Sequence, residues 1–153
     1  MNLEFIEGPD LKDLLAAGVE CLNANKDEIN DLNVFPVPDG DTGTNMVLTF
    51  QAALREVQQA SDEVKDILER AAQGSLMGAR GNSGVIVSQF FRGFARAVGN
   101  ASRLGTLELA KGIDGASKLA YQAIRKPVEG TILTIVREAA VRAQELQKQK
   151  ISS

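Results

Sequence analysis

Apolar residues recur about every 3.6 positions in six separate segments of this chain, which is the repeat of an amphipathic α-helix. Clusters of glycine, proline and polar residues, which terminate helices, separate the segments. The alternating stretch 33–38 contains Pro36 and Pro38, so it is predicted to be an extended loop and not a strand. The sequence therefore predicts an all-α fold. The predicted helices cover residues 10–22, 46–57, 61–76, 85–98, 106–123 and 132–146.

Short connections between these helices favour antiparallel neighbours, so the six helices are expected to form one antiparallel bundle or barrel. A chain of 153 residues has the length of a single domain. The helix over 85–98 has a wide apolar face, which indicates a central position in the core. In the first helix, Asp10 is predicted to be the N-cap residue and Cys21 a small core residue.

The composition excludes several kinds of site. The chain contains no histidine, so it cannot hold a Ser-His-Asp or Cys-His catalytic group or a zinc site with histidine ligands. Its single cysteine excludes a disulfide framework. A net charge of −3 without a basic cluster argues against a nucleic-acid groove. The sequence contains no recognisable signal peptide or membrane span, so a soluble cytoplasmic protein is expected.

Three unusual loops are predicted to lie at the same end of the bundle, because they precede the second, fourth and sixth helices of an antiparallel arrangement. They cover residues 36–45, 78–84 and 126–131. Each loop leads directly into a helix N-terminus, where unpaired backbone N–H groups and the positive end of the helix dipole attract anions. Three such ends close together predict a site of phosphate size.

Asp39 and Asp41 give the first loop its distinctive chemistry. Pro36 and Pro38 stiffen the chain around them, so the two carboxylates are expected to lie close together. Two carboxylates about 4 Å apart repel by about 4 kcal/mol at an effective dielectric constant of about 20, and a cation relieves that repulsion. Oxygen ligands without histidine or cysteine favour Mg²⁺. A cation beside an anion-binding helix end suits a nucleoside triphosphate.

Simpler interpretations of the same loops stay open at this point. The first loop could be an Asx-type turn in which Asp41 or Thr42 caps the second helix. Ser83 could cap the fourth helix, and the third loop could do no more than begin the sixth. Arg80 could be either a solvated surface charge or a clamp on a phosphate. The glycine spacing of the second loop is not that of a dinucleotide-binding loop, and the chain contains no Walker sequence or EF-hand.

Three stretches of the chain resemble a known family. They are LNVFPVPDGDTGTNM (32–46), MGARGNSGVIVSQFFRGF (77–94) and KPVEGTILTIVREAA (126–140). In this order they resemble the N-terminal domain of the fatty acid kinase A subunit, within the wider family of the nucleotide-binding L subunit of dihydroxyacetone kinase. The resemblance covers nearly the whole chain. It implies an α-helical barrel of about eight helices that binds ATP with two Mg²⁺ ions at one end.

The resemblance also implies roles for individual residues. Asp39 and Asp41 match the metal-binding carboxylates of the family, and Asn33 stands where the family has an earlier aspartate, which makes it a weaker third metal ligand. The other matching nucleotide contacts are Gly81, Asn82, Ser83, Gly84 and Thr131. The family domain continues with two more helices and further domains downstream. Residues 1–153 are therefore expected to be a single nucleotide-binding kinase domain, truncated before its last two helices.

The resemblance implies Mg-ATP-dependent phosphoryl transfer to a fatty acid carboxylate, and the product of this reaction is an acyl phosphate. A separate lipid-carrying subunit is expected to present the fatty acid. A carboxylate acceptor is already deprotonated at neutral pH and needs no general base, which fits a chain without histidine. Asp39 and Asp41 are expected to hold Mg²⁺ against the phosphates, and Arg80 to neutralise charge on the transferred group. The residues expected to cradle phosphate oxygens at the second helix are Thr42, Gly43, Thr44 and Asn45.

Two alternative functions stay open. The domain could be the nucleotide-binding subunit of a dihydroxyacetone (glycerone) kinase, which phosphorylates a small hydroxy-ketone. It could also be a non-catalytic nucleotide-binding interaction module, in which an apolar groove left by the two absent helices pairs with another chain or forms a homodimer.

Overall fold

Residues 4–152, which this computed structural model describes, are helical apart from loops and one antiparallel bridge between Ile6 and Leu104. This confirms the all-α fold class. The helices are α1 (Gly8–Ala24), α2 (Lys26–Leu32), α3 (Thr42–Val57), α4 (Val64–Met77), α5 (Gly81–Val98), α6 (Thr106–Ala123) and α7 (Ile132–Ser152). None of the helices in this range is long and apolar enough to cross a membrane.

Helix α2 is the one that apolar periodicity does not predict, so the described range contains seven helices and not six. It has seven residues and buries none of them, and a helix of two turns is too short to show the 3.6-residue repeat. Asn25 separates it from α1, because the Asn25 side-chain amide donates a hydrogen bond of 2.8 Å to the Cys21 carbonyl. α2 packs against α3.

Helix α1 differs from its prediction at two positions. It begins after Glu7, and Asp10 is not the N-cap residue but accepts the Glu7 N–H at 3.0 Å in a capping box. Cys21 is exposed and does not belong to the core. The buried side of α1 runs through Leu11 and Val19, and a residue two positions after Val19 lies on the opposite side of a helix.

Helix α5 lies at the centre of the fold, packed against α3, α4 and α6, as its wide apolar face predicts. Phe91 and Phe94 of α5 are buried. The Phe91 ring meets Phe50 of α3 edge-on, with the ring centroids 5.4 Å apart. Ile67 and Ala71 of α4 are fully buried in the same cluster. The core therefore fixes α3, α4 and α5 relative to one another.

The turn between α4 and α5 passes close to α3 because it is rich in glycine. Three glycines face three residues that lie on one side of α3. The facing pairs are Gly78 with Ala52, Gly81 with Asn45, and Gly84 with Thr49. A Cβ atom built on Gly81 would lie 2.6 Å from Asn45 Nδ2, and one on Gly84 would lie 2.6 Å from Thr49 Oγ1. Glycine at these positions lets the first turns of α3 and α5 lie side by side.

A Gly93→Ala substitution tests the close packing of α5 against α6. The new Cβ atom would collide with the backbone of α6, at the Gly115 carbonyl and 2.8 Å from Ala116 Cα. We expect the free energy of unfolding to fall by about 1–3 kcal/mol, measured by urea denaturation. Gly18→Ala is the matched control, since a Cβ atom there meets nothing within 4 Å, and should stabilise the helix by about 0.5–1 kcal/mol. Equal effects of the two substitutions would contradict the close packing.

Candidate functional site

The loops before α3, α5 and α7 meet at one end of the molecule, as the sequence predicts. The start of α5 lies against α3, where Gly81 contacts the Asn45 side chain. The loop before α7 reaches the loop before α3, because a Cβ atom built on Gly130 would lie 4.0 Å from Phe35 Cε1. Residues that are far apart in the sequence therefore share one surface.

Asp39 and Asp41 belong to this surface, in the connection between α2 and α3. Both side chains are exposed, and neither carboxylate makes a hydrogen bond or an ion pair with any residue of the range 4–152. Gly40 between them has a φ of +64°, a conformation that glycine adopts without steric strain. Both carboxylates are therefore open to a cation.

The two carboxylates of Asp39 and Asp41 suit Mg²⁺ better than they suit a metal ion whose ligands all come from the protein. In the described part of the chain, no three or more carboxylate, cysteine or histidine side chains come together as a metal-binding group. Mg²⁺ binds proteins through one or two carboxylates and completes its coordination with water and phosphate oxygens. Asp39 and Asp41 could supply those two carboxylates, so a metal ion here would depend on a second, oxygen-rich ligand.

The Asn33 side chain stabilises this loop through hydrogen bonds to the loop backbone. Its Oδ1 atom accepts the N–H groups of Asp41 at 3.0 Å and Thr42 at 3.2 Å, and its Nδ2 donates to the Val37 carbonyl at 3.1 Å. These two accepted bonds direct Oδ1 to the backbone at the start of α3, and the metal-ligand role that the family resemblance implies for Asn33 stays a prediction. The Asp41 side chain makes no capping bond to α3. Asn33 takes the capping role that the sequence left open between Asp41 and Thr42.

Asn30 of α2 holds the next residues of the same helix start. Its Oδ1 accepts the Thr44 N–H at 3.0 Å, and its Nδ2 donates to the Thr44 hydroxyl at 3.0 Å. The amides of Thr42 and Thr44 therefore already have acceptors. Among the four predicted phosphate contacts of this turn, the Gly43 N–H, the Thr42 hydroxyl and the Asn45 side chain have no hydrogen-bond partner within residues 4–152.

The start of α5 is open where the start of α3 is capped. The backbone N–H groups of Gly81, Asn82 and Ser83 have no acceptor in the described range, and the N-cap residue Arg80 provides no side-chain cap. The Ser83 side chain is 8% exposed, and its hydroxyl has no partner there either, so Ser83 does not cap the helix. Free amides at a helix N-terminus form an anion-binding site.

Arg80 stands immediately before these free amides. Its guanidinium is exposed and has no carboxylate partner within the part of the chain that is described. A guanidinium without an intramolecular ion pair keeps all five of its N–H donors for an anion. Both roles that the sequence left open for Arg80, a solvated charge and a phosphate clamp, are compatible with this position.

The loop before α7 is stabilised by its own polar side chains. The Thr131 hydroxyl donates to the Val128 carbonyl at 2.8 Å and accepts the Leu133 N–H at 3.3 Å. Thr131 therefore caps α7, as the simpler interpretation of this loop has it, and its hydroxyl is already engaged. The predicted contact of Thr131 with nucleotide stays a prediction.

Glu129 is the centre of this loop. Its carboxylate accepts hydrogen bonds from Thr134, from the Tyr121 hydroxyl at 2.9 Å and from Arg137 at 3.1 Å. These donors hold the pKa of Glu129 below its usual 4.5, with Thr134 the largest cause and Tyr121 and Arg137 the next. The network ties the loop to α6 and to the first turns of α7.

Asn30 and Glu129 are the site-shaping residues that the sequence analysis missed. Asn30 bonds to a residue 14 positions away, and helical periodicity carries no information on such a contact. The sequence feature that could have indicated this role is a second asparagine three residues before Asn33, shortly ahead of the start of α3. For Glu129 the signal is the spacing to Thr134 and Arg137, which places both partners on the helix that follows.

Glu129→Gln tests the network through its pH dependence. A carboxylate whose pKa is lowered by folding stabilises the protein above its unfolded value of 4.5, and this stabilisation is lost as the pH falls through the lowered pKa. We expect Glu129→Gln to lower the melting temperature at neutral pH, with a difference from wild type that disappears in acid. Glu138→Gln is the control, because Glu138 has no partner over the described range. A difference that is independent of pH would contradict the network.

Comparison with known proteins identifies the family. A family model described as DAK2 domain matches residues 36–153. Protein YloV of Bacillus subtilis (strain 168) is 42% identical over 151 residues, which cover 98% of this chain and 27% of that protein. Two uncharacterized proteins of Staphylococcus aureus, from strains bovine RF122 / ET3-1 and USA300, are each 45% identical over 141 residues, which cover 92% of this chain and 26% of theirs. The chain thus spans about a quarter of the length of these relatives. It belongs to the DAK2 domain family, the dihydroxyacetone kinase L-subunit-like family that its motifs resemble.

Proposed function

We propose that this domain binds ATP with Mg²⁺ at the end of the molecule where the loops before α3 and α5 meet, and that it takes part in transfer of the terminal phosphoryl group. One observation carries the proposal: the α5 start, with its three unpartnered amides, lies against the first turn of α3, which directly follows the loop of two unpartnered carboxylates. A metal-bound triphosphate is complementary to both, since the carboxylates take the cation and the amides take phosphate oxygens. Membership of the DAK2 family supports the kinase assignment.

The residues of the site then have distinct roles. Asp39 and Asp41 hold the metal, and the family resemblance implies two Mg²⁺ ions. The ions supply positive charge to the phosphates. Gly81, Asn82 and Ser83 bind phosphate oxygens through their N–H groups, and the unpartnered Ser83 hydroxyl adds a donor. Gly84 lets this turn lie close to α3. Arg80 neutralises charge on the transferred group.

The first turn of α3 has a supporting role in this arrangement. Asn33 accepts the Thr42 N–H and Asn30 accepts the Thr44 N–H. These hydrogen bonds fix the loop that carries Asp41 to the start of α3. The Gly43 N–H, the Thr42 hydroxyl and the Asn45 side chain have no partner in the described range and remain for phosphate. Thr131 flanks the nucleotide through the position of its loop, while its hydroxyl caps α7.

For the acceptor we propose a fatty acid carboxylate presented by a separate lipid-carrying subunit, with further domains of the full-length chain taking part. Two observations support it. The first-loop motif resembles the fatty acid kinase branch of the family, and the chain has no histidine to act as a general base. A carboxylate is deprotonated at neutral pH, so its oxygen can attack the γ-phosphorus of ATP without a general base, giving an acyl phosphate with ADP as the leaving group.

A small hydroxy-ketone is the second candidate acceptor, and the family itself favours it, because the DAK2 domain belongs to the dihydroxyacetone kinases. A third candidate is a non-catalytic module that binds nucleotide and docks to another chain. The exposed apolar side chains of α7 favour that function, with Ile135 68%, Val141 50% and Leu146 49% exposed.

Replacing one carboxylate tests the site. Asp41→Asn removes a negative charge at constant shape, so we expect Mg-dependent ATP binding to weaken by about tenfold or more, which is about 1.4 kcal/mol. Helical circular dichroism should be unchanged, because Asp41 is exposed and its side chain caps nothing. Isothermal titration calorimetry measures the affinity. Asp31→Asn, at an exposed position on α2, is the matched control. Wild-type affinity in Asp41→Asn would refute the assignment.

An assay with alternative acceptors separates the candidate functions. The full-length protein is supplied with Mg-ATP and either an acyl-loaded lipid carrier or dihydroxyacetone, and ADP release is measured. We expect release with the acyl-loaded carrier, because a carboxylate needs no general base. Release with dihydroxyacetone alone would favour the second candidate. Nucleotide binding without release for either acceptor would favour the non-catalytic module.

A further inference from the structure

The threonine in the middle of α3 connects the two helix starts of the proposed site. Thr49 is 0% exposed. Its hydroxyl donates to the Asn45 carbonyl at 2.8 Å and accepts the Arg80 N–H at 3.3 Å. One buried hydroxyl thus bonds to the first turn of α3 and to the N-cap residue of α5. Threonine is not a favoured residue in a helix interior, so propensity does not account for it.

The Thr49 hydroxyl also contacts α5 closely, so small changes in the position of α5 would affect it. Gly84 faces Thr49 so closely that a Cβ atom on the glycine would lie 2.6 Å from Oγ1. Gly81, one turn earlier on α5, faces Asn45 in the same way. The start of α5 therefore rests directly on the hydroxyl and on the side chain one turn before it. A shift of α5 along α3 would break the Arg80 hydrogen bond.

We propose that Thr49 is a positioning residue, whose hydroxyl sets the register between the carboxylates before α3 and the free amides of α5. The inference rests on the proposed function, because register matters only if a single ligand contacts both groups. A triphosphate bound at Gly81, Asn82 and Ser83 reaches a metal on Asp39 and Asp41 only when the two helix starts stand at the correct offset. Thr49 itself contacts neither metal nor nucleotide.

This role predicts an effect on coupling between two ligands. Mg²⁺ raises ATP affinity when both are held in a compatible geometry, and the factor by which it does so is the coupling between the two sites. Loss of the Thr49 hydroxyl leaves the carboxylates and the amides in the protein and changes their relative position. The coupling factor should therefore fall, while ATP binding without metal changes little.

Thr49→Val and Thr49→Ser separate the hydroxyl from the shape of the side chain. Calorimetry with and without Mg²⁺ gives the coupling factor for each protein, and thermal unfolding gives its stability. We expect Thr49→Val to lower the coupling factor by at least about fivefold and Thr49→Ser to retain it. Thr49→Ala, which removes the hydroxyl without adding a methyl group, should match Thr49→Val. Ser75→Ala is the control, since Ser75 is also buried but bonds only within α4, to the Ala72 carbonyl.

The outcomes distinguish this inference from the proposed function. Wild-type protein without any Mg-dependent gain in ATP affinity would refute the proposed function, and with it the role of Thr49. A wild-type gain that Thr49→Val and Thr49→Ala retain would refute the positioning role alone. A coupling factor that follows melting temperature across all variants, and not the presence of the hydroxyl, would make Thr49 a structural residue only and would also refute it.

Discussion

The close contact of a glycine-rich turn with α3 determines where the functional groups of this domain lie. Where the α4–α5 turn crosses α3, a side chain at Gly78 or Gly84 would overlap Ala52 or Thr49. Without those side chains the N-termini of α3 and α5 stand next to each other. The loop with two exposed carboxylates therefore leads into a helix start that lies beside the unpaired amides of the other helix. The core keeps α5 in this position, because α5 packs against α3, α4 and α6.

The helix starts at this end differ in how their backbone donors are satisfied. Asparagine side chains cap α3, and the Thr131 hydroxyl caps α7. The first-turn amides of α5 have no acceptor within the described residues. An anion gains most where donors are free, because it need not displace an internal partner. This difference makes α5 the centre of the proposed phosphate site and gives the other two loops supporting roles.

Periodicity was sufficient to predict the fold class, the longer helices and the shared end of the three loops. It could not predict α2, which is too short to repeat an apolar pattern, or the bonds of Asn30 and Glu129, which depend on tertiary packing. The family resemblance assigns Gly81 and Gly84 to phosphate contacts, but no pattern in the sequence indicates that the glycines at 78, 81 and 84 also face α3 closely. Asp39, Asp41, Asn33 and the α5 residues keep their predicted roles as proposals, and Asn33 in addition supports the loop through its hydrogen bonds.

Amide hydrogen exchange, followed residue by residue by NMR, tests the central claim most directly. The N–H groups of Gly81, Asn82 and Ser83 should exchange rapidly in the free domain, because they have no acceptor in the described structure. We expect Mg-ATP to slow their exchange strongly and AMP to have little effect. If the domain binds Mg-ATP and these three amides exchange as fast as before, the phosphates are held elsewhere and the claim is wrong.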